Sequence, residues 1–241
     1  MPTFSHGSAT LHYETWGTGP PILMLAPGGL RASRIETWAN APWNPIDALK
    51  DRYLVVGMDQ RNTGTSTAPI TSSDGWPTYA SDQVALMDHL GVERFAVAGM
   101  CIGGAFIMEL LSEVPERITA AVAFQPIGLD GNRDAFRAIF EDWRQGIAEE
   151  HPEASDSDWE GVWSNLFGGD HHLWSVSDDV IATFETPILV LQGADQYHPT
   201  SASRKLAETA PHASLVESWK EPADQAAARA AVDEFLAANA G

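Results

Sequence analysis

The chain has 241 residues, 44% hydrophobic and 20% charged, which suits one globular domain with a sizeable core and excludes a disordered or low-complexity chain. Its 33 Asp and Glu against 14 Lys and Arg give a formal net charge of -19, a field that repels phosphate backbones and anionic lipid surfaces and so argues against nucleic acid or a membrane as partner. A single cysteine, Cys101, excludes an intrachain disulfide framework.

The first residues, Met1 to His6, show no basic start followed by an apolar core, so no secretory signal is expected and the expected location is cytoplasmic. Residues 8–16 alternate loosely, Gly17 to Pro21 turns the chain, and Ile22 to Leu25 is a short apolar strand, which together predict an antiparallel hairpin at a sheet edge. A loop, Ala26-Pro27-Gly28-Gly29, leaves that strand, and a helix is expected around 44–50. Tyr53 to Met58 reads as a strand buried on both faces, and Tyr79 to Leu90 as a helix stopped by Gly91. Phe95 to Ala98 predicts a strand and Ile102 to Ser112 a helix, while Ala120 to Phe124, Ile188 to Leu191 and Ala213 to Val216 predict further strands. An Ala-rich helix from about Ala223 to Ala238 closes the pattern. Strand alternating with helix predicts an α/β protein with a mostly parallel central sheet flanked by helices. Residues 128–184 contain no convincing strand but many aromatics, and are too long for a plain loop. They predict a helical lid or cap inserted into a core formed by 1–127 and 185–241, with Trp163 and Trp174 as candidate substrate contacts.

Gly99-Met100-Cys101-Ile102-Gly103-Gly104 sits between an apolar strand and an apolar helix. A tight strand-to-helix turn needs small neighbours around a strained central residue. That turn pushes the middle side chain out at a helix amino end, where backbone dipoles favour an anion and a thiol ionises readily. Here the chain resembles the α/β-hydrolase family, with Gly-x-Cys-x-Gly in place of the usual Gly-x-Ser-x-Gly, as in the cysteine-using dienelactone hydrolases. The resemblance extends to Gly28-Gly29 as an oxyanion loop, to Asp59-Gln60-Arg61-Asn62-Thr63-Gly64-Thr65-Ser66 as an architectural segment in which the charged pair braces the loop near the elbow, and to Gly193-Ala194-Asp195 as the loop bearing the triad acid. It implies a nucleophile at Cys101, an acid at Asp195, oxyanion amides at Gly29 and Ile102, and substrate contacts at Gly28 and Met100.

The family's histidine is expected between the last strand and the last helix, but that interval reads Ser218-Trp219-Lys220-Glu221-Pro222, with none. Among the eight histidines, His198 follows Asp195 by three residues in a loop expected at the carboxyl end of the sheet, and is the candidate base. A lid histidine (His171 or His172), Lys220, or no base at all remain the alternatives. The expected activity is cysteine-dependent hydrolysis of an ester, thioester or lactone, with a small apolar or aromatic acyl substrate. Acyl transfer and carbon–carbon bond hydrolysis fit the same scaffold, and a small-ligand-binding protein that has lost its catalytic histidine is the non-enzymatic alternative. No cofactor and no metal are expected, and a homodimer is among the assemblies the sequence permits.

Overall fold

The computed structural model of the protein describes residues 1–241. Along the chain come β1 (Thr3–His6), β2 (Ala9–Trp16), β3 (Pro21–Leu25), α1 (Gly29–Ala32), α2 (Pro45–Leu49), β4 (Leu54–Met58), α3 (Trp76–His89), β5 (Phe95–Met100), α4 (Ile102–Glu113) and β6 (Ile118–Phe124). They are followed by α5 (Arg133–Ile147), α6 (Asp156–Phe167), α7 (Asp178–Ile181), β7 (Ile188–Leu191), α8 (Thr200–Thr209), β8 (Ala213–Val216) and α9 (Pro222–Asn239). The strands form one 8-stranded sheet in the order β1-β2-β4-β3-β5-β6-β7-β8. From β4 to β8 in that order every pairing is parallel, whereas β2 runs antiparallel to β4 and to β1.

The edge of the sheet departs from the expected hairpin. The second and third strands do not pair, because β4 lies between them, and the partner of β2 in a true hairpin is the short β1. That strand is four residues long with only Phe4 buried, too short for its alternation to show in sequence.

Helices cover both faces, so β5 is buried along its whole length and reads as an unbroken apolar run. Its side chains alternate between two cores: Phe95 and Val97 join the cluster beneath α3 and α4, while Ala96, Ala98 and Met100 join the one holding Trp38, Trp43 and Trp219. Between β6 and β7 the chain is helical and contains no strand, as its aromatic pattern predicts. No helix is long and apolar enough to cross a membrane.

The segment Asp59–Ser66 corrects one expectation. Asp59 does not pair with Arg61; its carboxylate accepts the Ile35 amide at 2.9 Å. Arg61 reaches instead to α3, where its Nε and Nη2 donate to the two oxygens of the fully buried Asp82 at 2.8 and 3.0 Å, and its Nη1 donates to Asp74 at 3.3 Å. Asn62 takes the left-handed φ of 61°, which asparagine tolerates better than most residues, and its side chain accepts the Ala68 amide at 2.8 Å.

Glu109, on α4, is only 6% exposed. Burial, with Glu113 one turn on, raises its pKa to about 7. A carboxyl whose folded pKa is raised contributes most when protonated, so its contribution falls as pH climbs from the ordinary carboxylate range to about 7 and is level beyond. Glu109→Gln is therefore expected to gain roughly 2 kcal/mol over the parent at pH 8 and almost nothing at pH 4, less than the full conversion of the shift because some water still reaches the carboxylate. Urea midpoints at the two pH values measure this, and an equal difference at both would remove Glu109 as the source.

Candidate active site

The carboxyl ends of β5, β6 and β7 are level with one another, since Met100 pairs with Phe124 and Phe124 with Leu191. The Cys101 amide donates to the Phe124 carbonyl at 3.0 Å, and the Gln125 amide to that of Leu191 at 2.7 Å. This register sets the turn after β5 beside the loop after β7.

Cys101 has φ 60° and ψ -117°, a strained conformation that only a crowded, over-determined turn maintains. The crowding is visible at its flanks. A Cβ on Gly99 would stand 2.7 Å from the Gly103 carbonyl oxygen, and one on Gly103 would stand 2.5 Å from that of Leu25. The turn presents the sulfur at the amino end of α4.

The loop after β7 is organised by Asp195. Its Oδ1 accepts the amides of Tyr197 and His198 at 3.0 and 3.1 Å, and its carboxylate holds His198 Nδ1 at 2.7 and 2.9 Å. Thr200 Oγ1 donates to the Gly193 carbonyl and Ser203 Oγ accepts the Gly193 amide, tying the loop to α8. With Nδ1 engaged, the other ring nitrogen is left for chemistry. His198 Nε2 is buried without a formed hydrogen bond, yet the ring and the Cys101 sulfur are close enough to change each other's proton affinity. Such near-aligned pairs are common before substrate binds.

The electrostatics point one way. Burial pushes the Cys101 thiol up, but the His198 ring and the amides of Gly28 and Ile102 outweigh it, and the thiol lies below its ordinary value. Burial pulls His198 down, while Cys101 and Asp195 carry it above the ordinary histidine value. Burial raises Asp195, and its bonds to His198 and to the loop amides take it below the ordinary carboxylate range. A lowered thiol beside a raised imidazole favours transfer of the proton from sulfur to ring.

The amides that face the sulfur are those of Gly28 and Ile102. The sequence expectation placed the donor at Gly29, one residue later in the same loop. Gly28 adopts φ 126°, open only to glycine, whereas Gly29 already begins α1. The loop is held through Ser33: its hydroxyl donates to the Ala26 carbonyl at 2.7 Å, while its own carbonyl accepts the Gln60 amide and the Thr63 hydroxyl at 2.9 and 3.0 Å. The Asp59–Ser66 segment thus supports the loop through its backbone and Thr63, with Arg61 fastening the segment to α3.

Cys101 and His198 open into a cavity of about 150 Å³ that also takes in Gly28, Gly29 and Ile102. Its far walls are Leu30, Ile127, Phe136, Ile139, Phe140 and Phe167, with Tyr197 at the histidine end. The other expected contacts lie behind these walls. Met100 is buried in the core on the Trp219 side of the sheet. Trp163 packs on Phe140 and Phe167 at centroid distances of 5.5 Å, and Trp174 on Phe136 and Phe167 at 4.8 and 5.2 Å. The wall residues from α5 had a signal: Phe136, Ile139 and Phe140, continued by Trp143 outside the cavity, recur at the helical spacing of one apolar face.

The remaining basic candidates point elsewhere. His171 and His172 border a separate surface hollow with Asp178 and Lys205. His6, His12, His151 and His212 contact Ser81, Glu14, Glu153 and Glu185 respectively, and His89 stacks on Phe4. Lys220, in the interval where a histidine was expected, stands 3.9 Å from Asp195 Oδ2 and so faces the acid rather than the thiol. No group of three or more His, Cys, Asp or Glu side chains is arranged to hold a metal ion.

Residues 21–185 match the family described as alpha/beta hydrolase fold. Among curated proteins, the chain is 38% identical over 119 residues to "Putative carbamate hydrolase RutD" of Azorhizobium caulinodans, covering 49% of this chain and 42% of that protein. It is 29% identical over 125 residues to 2-hydroxy-6-oxo-6-phenylhexa-2,4-dienoate hydrolase of Comamonas testosteroni, covering 52% and 43%. The chain thus spans about half the length of the curated relatives it matches, or less. Among solved structures, a meta-cleavage product hydrolase from Pseudomonas fluorescens superposes with a TM-score of 0.70 at 19% identity, covering 95% of this chain and 94% of that one. The enol-lactonase from Burkholderia xenovorans does so with a TM-score of 0.70 at 21% identity, covering 98% and 100%. At these identities the structural likeness bears on the fold.

Proposed function

The chain belongs to the alpha/beta hydrolase fold family, and on that premise we propose that it is a cysteine hydrolase cleaving a carboxylic ester, thioester or lactone through an acyl-enzyme on Cys101. The observation that carries this reading is the arrangement of Asp195, His198 and Cys101, with the thiol at the amino end of α4 and two amides turned toward it.

In the first half-reaction the Cys101 thiolate attacks the substrate carbonyl carbon, and the Gly28 and Ile102 amides hold the oxyanion. Collapse breaks the bond to the leaving group, which takes the proton carried by His198 and departs as an alcohol or thiol. In the second, water attacks the thioester and gives its proton to His198. Collapse then expels the Cys101 thiolate, releases the acid, and returns the pair to its starting state. Asp195 fixes the ring through Nδ1 and stabilises the imidazolium, the division of roles of a Ser-His-Asp triad. A cysteine elbow of this kind resembles that of dienelactone hydrolases.

Mixing the protein with an activated acyl ester and following intact mass over time tests the reading. A transient adduct of one acyl group, mapping to Cys101 and absent in Cys101→Ala, is the expected result. A permanent adduct would favour an acyltransferase lacking its acceptor. No adduct, with the thiol also inert to iodoacetamide, would leave a ligand-binding protein.

A further inference from the structure

The walls of the cavity limit what acyl group can occupy it. Beyond Cys101, His198 and the loop amides, the lining is Leu, Ile and Phe side chains, and the Tyr197 hydroxyl is the one other hydrogen-bonding side-chain group. No lysine, arginine, asparagine or glutamine lines it. The arginines next to its walls are already matched: Arg31, beside Leu30, pairs with Asp142; Arg137, beside Phe136, pairs with Glu160 and Glu141; Arg133 pairs with Asp170. A carboxylate carried by the acyl chain into the Leu, Ile and Phe part of this cavity, away from His198 at the reacting carbonyl, would lose its water and meet no cation, a large penalty, and the net charge of -19 adds repulsion on approach. The volume of about 150 Å³ is that of a cavity which accepts one benzene-sized group.

Resting on the hydrolase reading, we infer that the acyl half of the substrate is neutral and small, a single aromatic ring or an aliphatic chain of about six carbons, and that acyl groups bearing their own carboxylate are excluded. The helical segment between β6 and β7 sets the upper limit. Phe136, Ile139 and Phe140 come from one face of α5, and Ile139 stands directly over the oxyanion loop, its Cγ2 4.0 Å from where a Cβ on Gly29 would lie.

The test is a set of 4-nitrophenyl esters sharing one leaving group: acetate, butyrate, hexanoate, decanoate, benzoate and the glutarate monoester. From acetate to hexanoate, kcat/KM is expected to rise by up to about fourfold per methylene, with benzoate near hexanoate and decanoate below it. The glutarate monoester, similar in size to hexanoate, is expected to be slower by on the order of a hundredfold. Ile139→Ala is expected to raise decanoate relative to hexanoate. A parallel measurement does not depend on turnover: binding of hexanamide and of glutarate monoamide to Cys101→Ala, with the neutral hexanamide expected to bind more tightly because only the monoamide carries a carboxylate away from the reacting carbonyl.

Glutarate turned over as fast as hexanoate, or decanoate faster, overturns the inference while the hydrolase reading stands. No turnover of any ester, with selective binding of hexanamide, overturns the hydrolase reading and upholds the neutral pocket. Glutarate monoamide bound as well as hexanamide overturns the inference whatever the esters do.

Discussion

His198→Ala is expected to slow turnover of an activated ester by about 10²- to 10⁴-fold, the usual contribution of a positioned acid–base group, and to change which step limits it. Attack can persist, because a cysteine keeps some thiolate near neutrality without help. Deacylation has no such reserve: water needs a base, and no other histidine faces Cys101. The variant should therefore accumulate acyl-enzyme that the parent clears. The same substitution moves the thiol. The ring opposes the upward push of burial on Cys101, so its removal raises the thiol pKa and shifts the pH profile of iodoacetamide alkylation to higher pH. At pH 7 alkylation slows, and the difference from the parent narrows as pH rises. Intact mass and the alkylation profile read the two effects on one sample. If the variant clears its adduct at the parent rate, with the thiol profile unmoved, His198 is not the base. His172→Ala, in the separate hollow, is expected to leave both readouts alone.

Asp82→Ala is expected to cost about 3–5 kcal/mol of stability, the scale on which half-removed buried ion pairs are felt. Arg61 is 11% exposed at its side chain, and its Nε and Nη2 both point at Asp82. Without that carboxylate it is left with Asp74 at 3.3 Å. Arg61→Ala strands the opposite charge, but the orphaned carboxyl, which burial already pushes up, can take a proton, so that variant should recover part of its loss as pH falls toward 5. Denaturant midpoints for both single variants and for the Arg61→Leu/Asp82→Leu double variant complete the measurement. The double variant should lie above either single one, because removing both charges relieves the desolvation that each alone leaves. Single losses below about 1 kcal/mol would class the pair with exposed ion pairs and remove the Arg61 fastening of the Asp59–Ser66 segment as a determinant of the oxyanion loop.

Much of this protein is written locally. The turn at Gly99–Gly104 needs small residues wherever it occurs, and the loop at Gly193–Pro199 carries acid and histidine within one turn of chain, so their hydrogen bond depends on three intervening peptide units and little else. Apolar strands separated by helices dictate a parallel sheet covered on both faces, and the sheet follows. Those features are determined by the sequence because the interactions that make them are short in range.

What only the tertiary structure decided involves partners far apart in the chain. β2 lies against β4 rather than β3, since strand order is settled by which faces must be covered. Arg61 chooses Asp82 over Asp59 because the backbone amide of Ile35 has already engaged the nearer carboxylate. In the Gly28-Gly29 loop it is the Gly28 amide that bears on the Cys101 sulfur, where Gly28 holds φ 126° and Gly29 φ 61°, a difference that two adjacent glycines do not show in sequence. Phe136, Ile139 and Phe140 line the cavity while Trp163 and Trp174 support them from behind, since all are aromatic or apolar and only the seating of α5 on the core separates the two layers. Composition supplies the material of such a pocket, but which side chain reaches it depends on the rotation of a helix about its axis, and that is a property of the packed molecule.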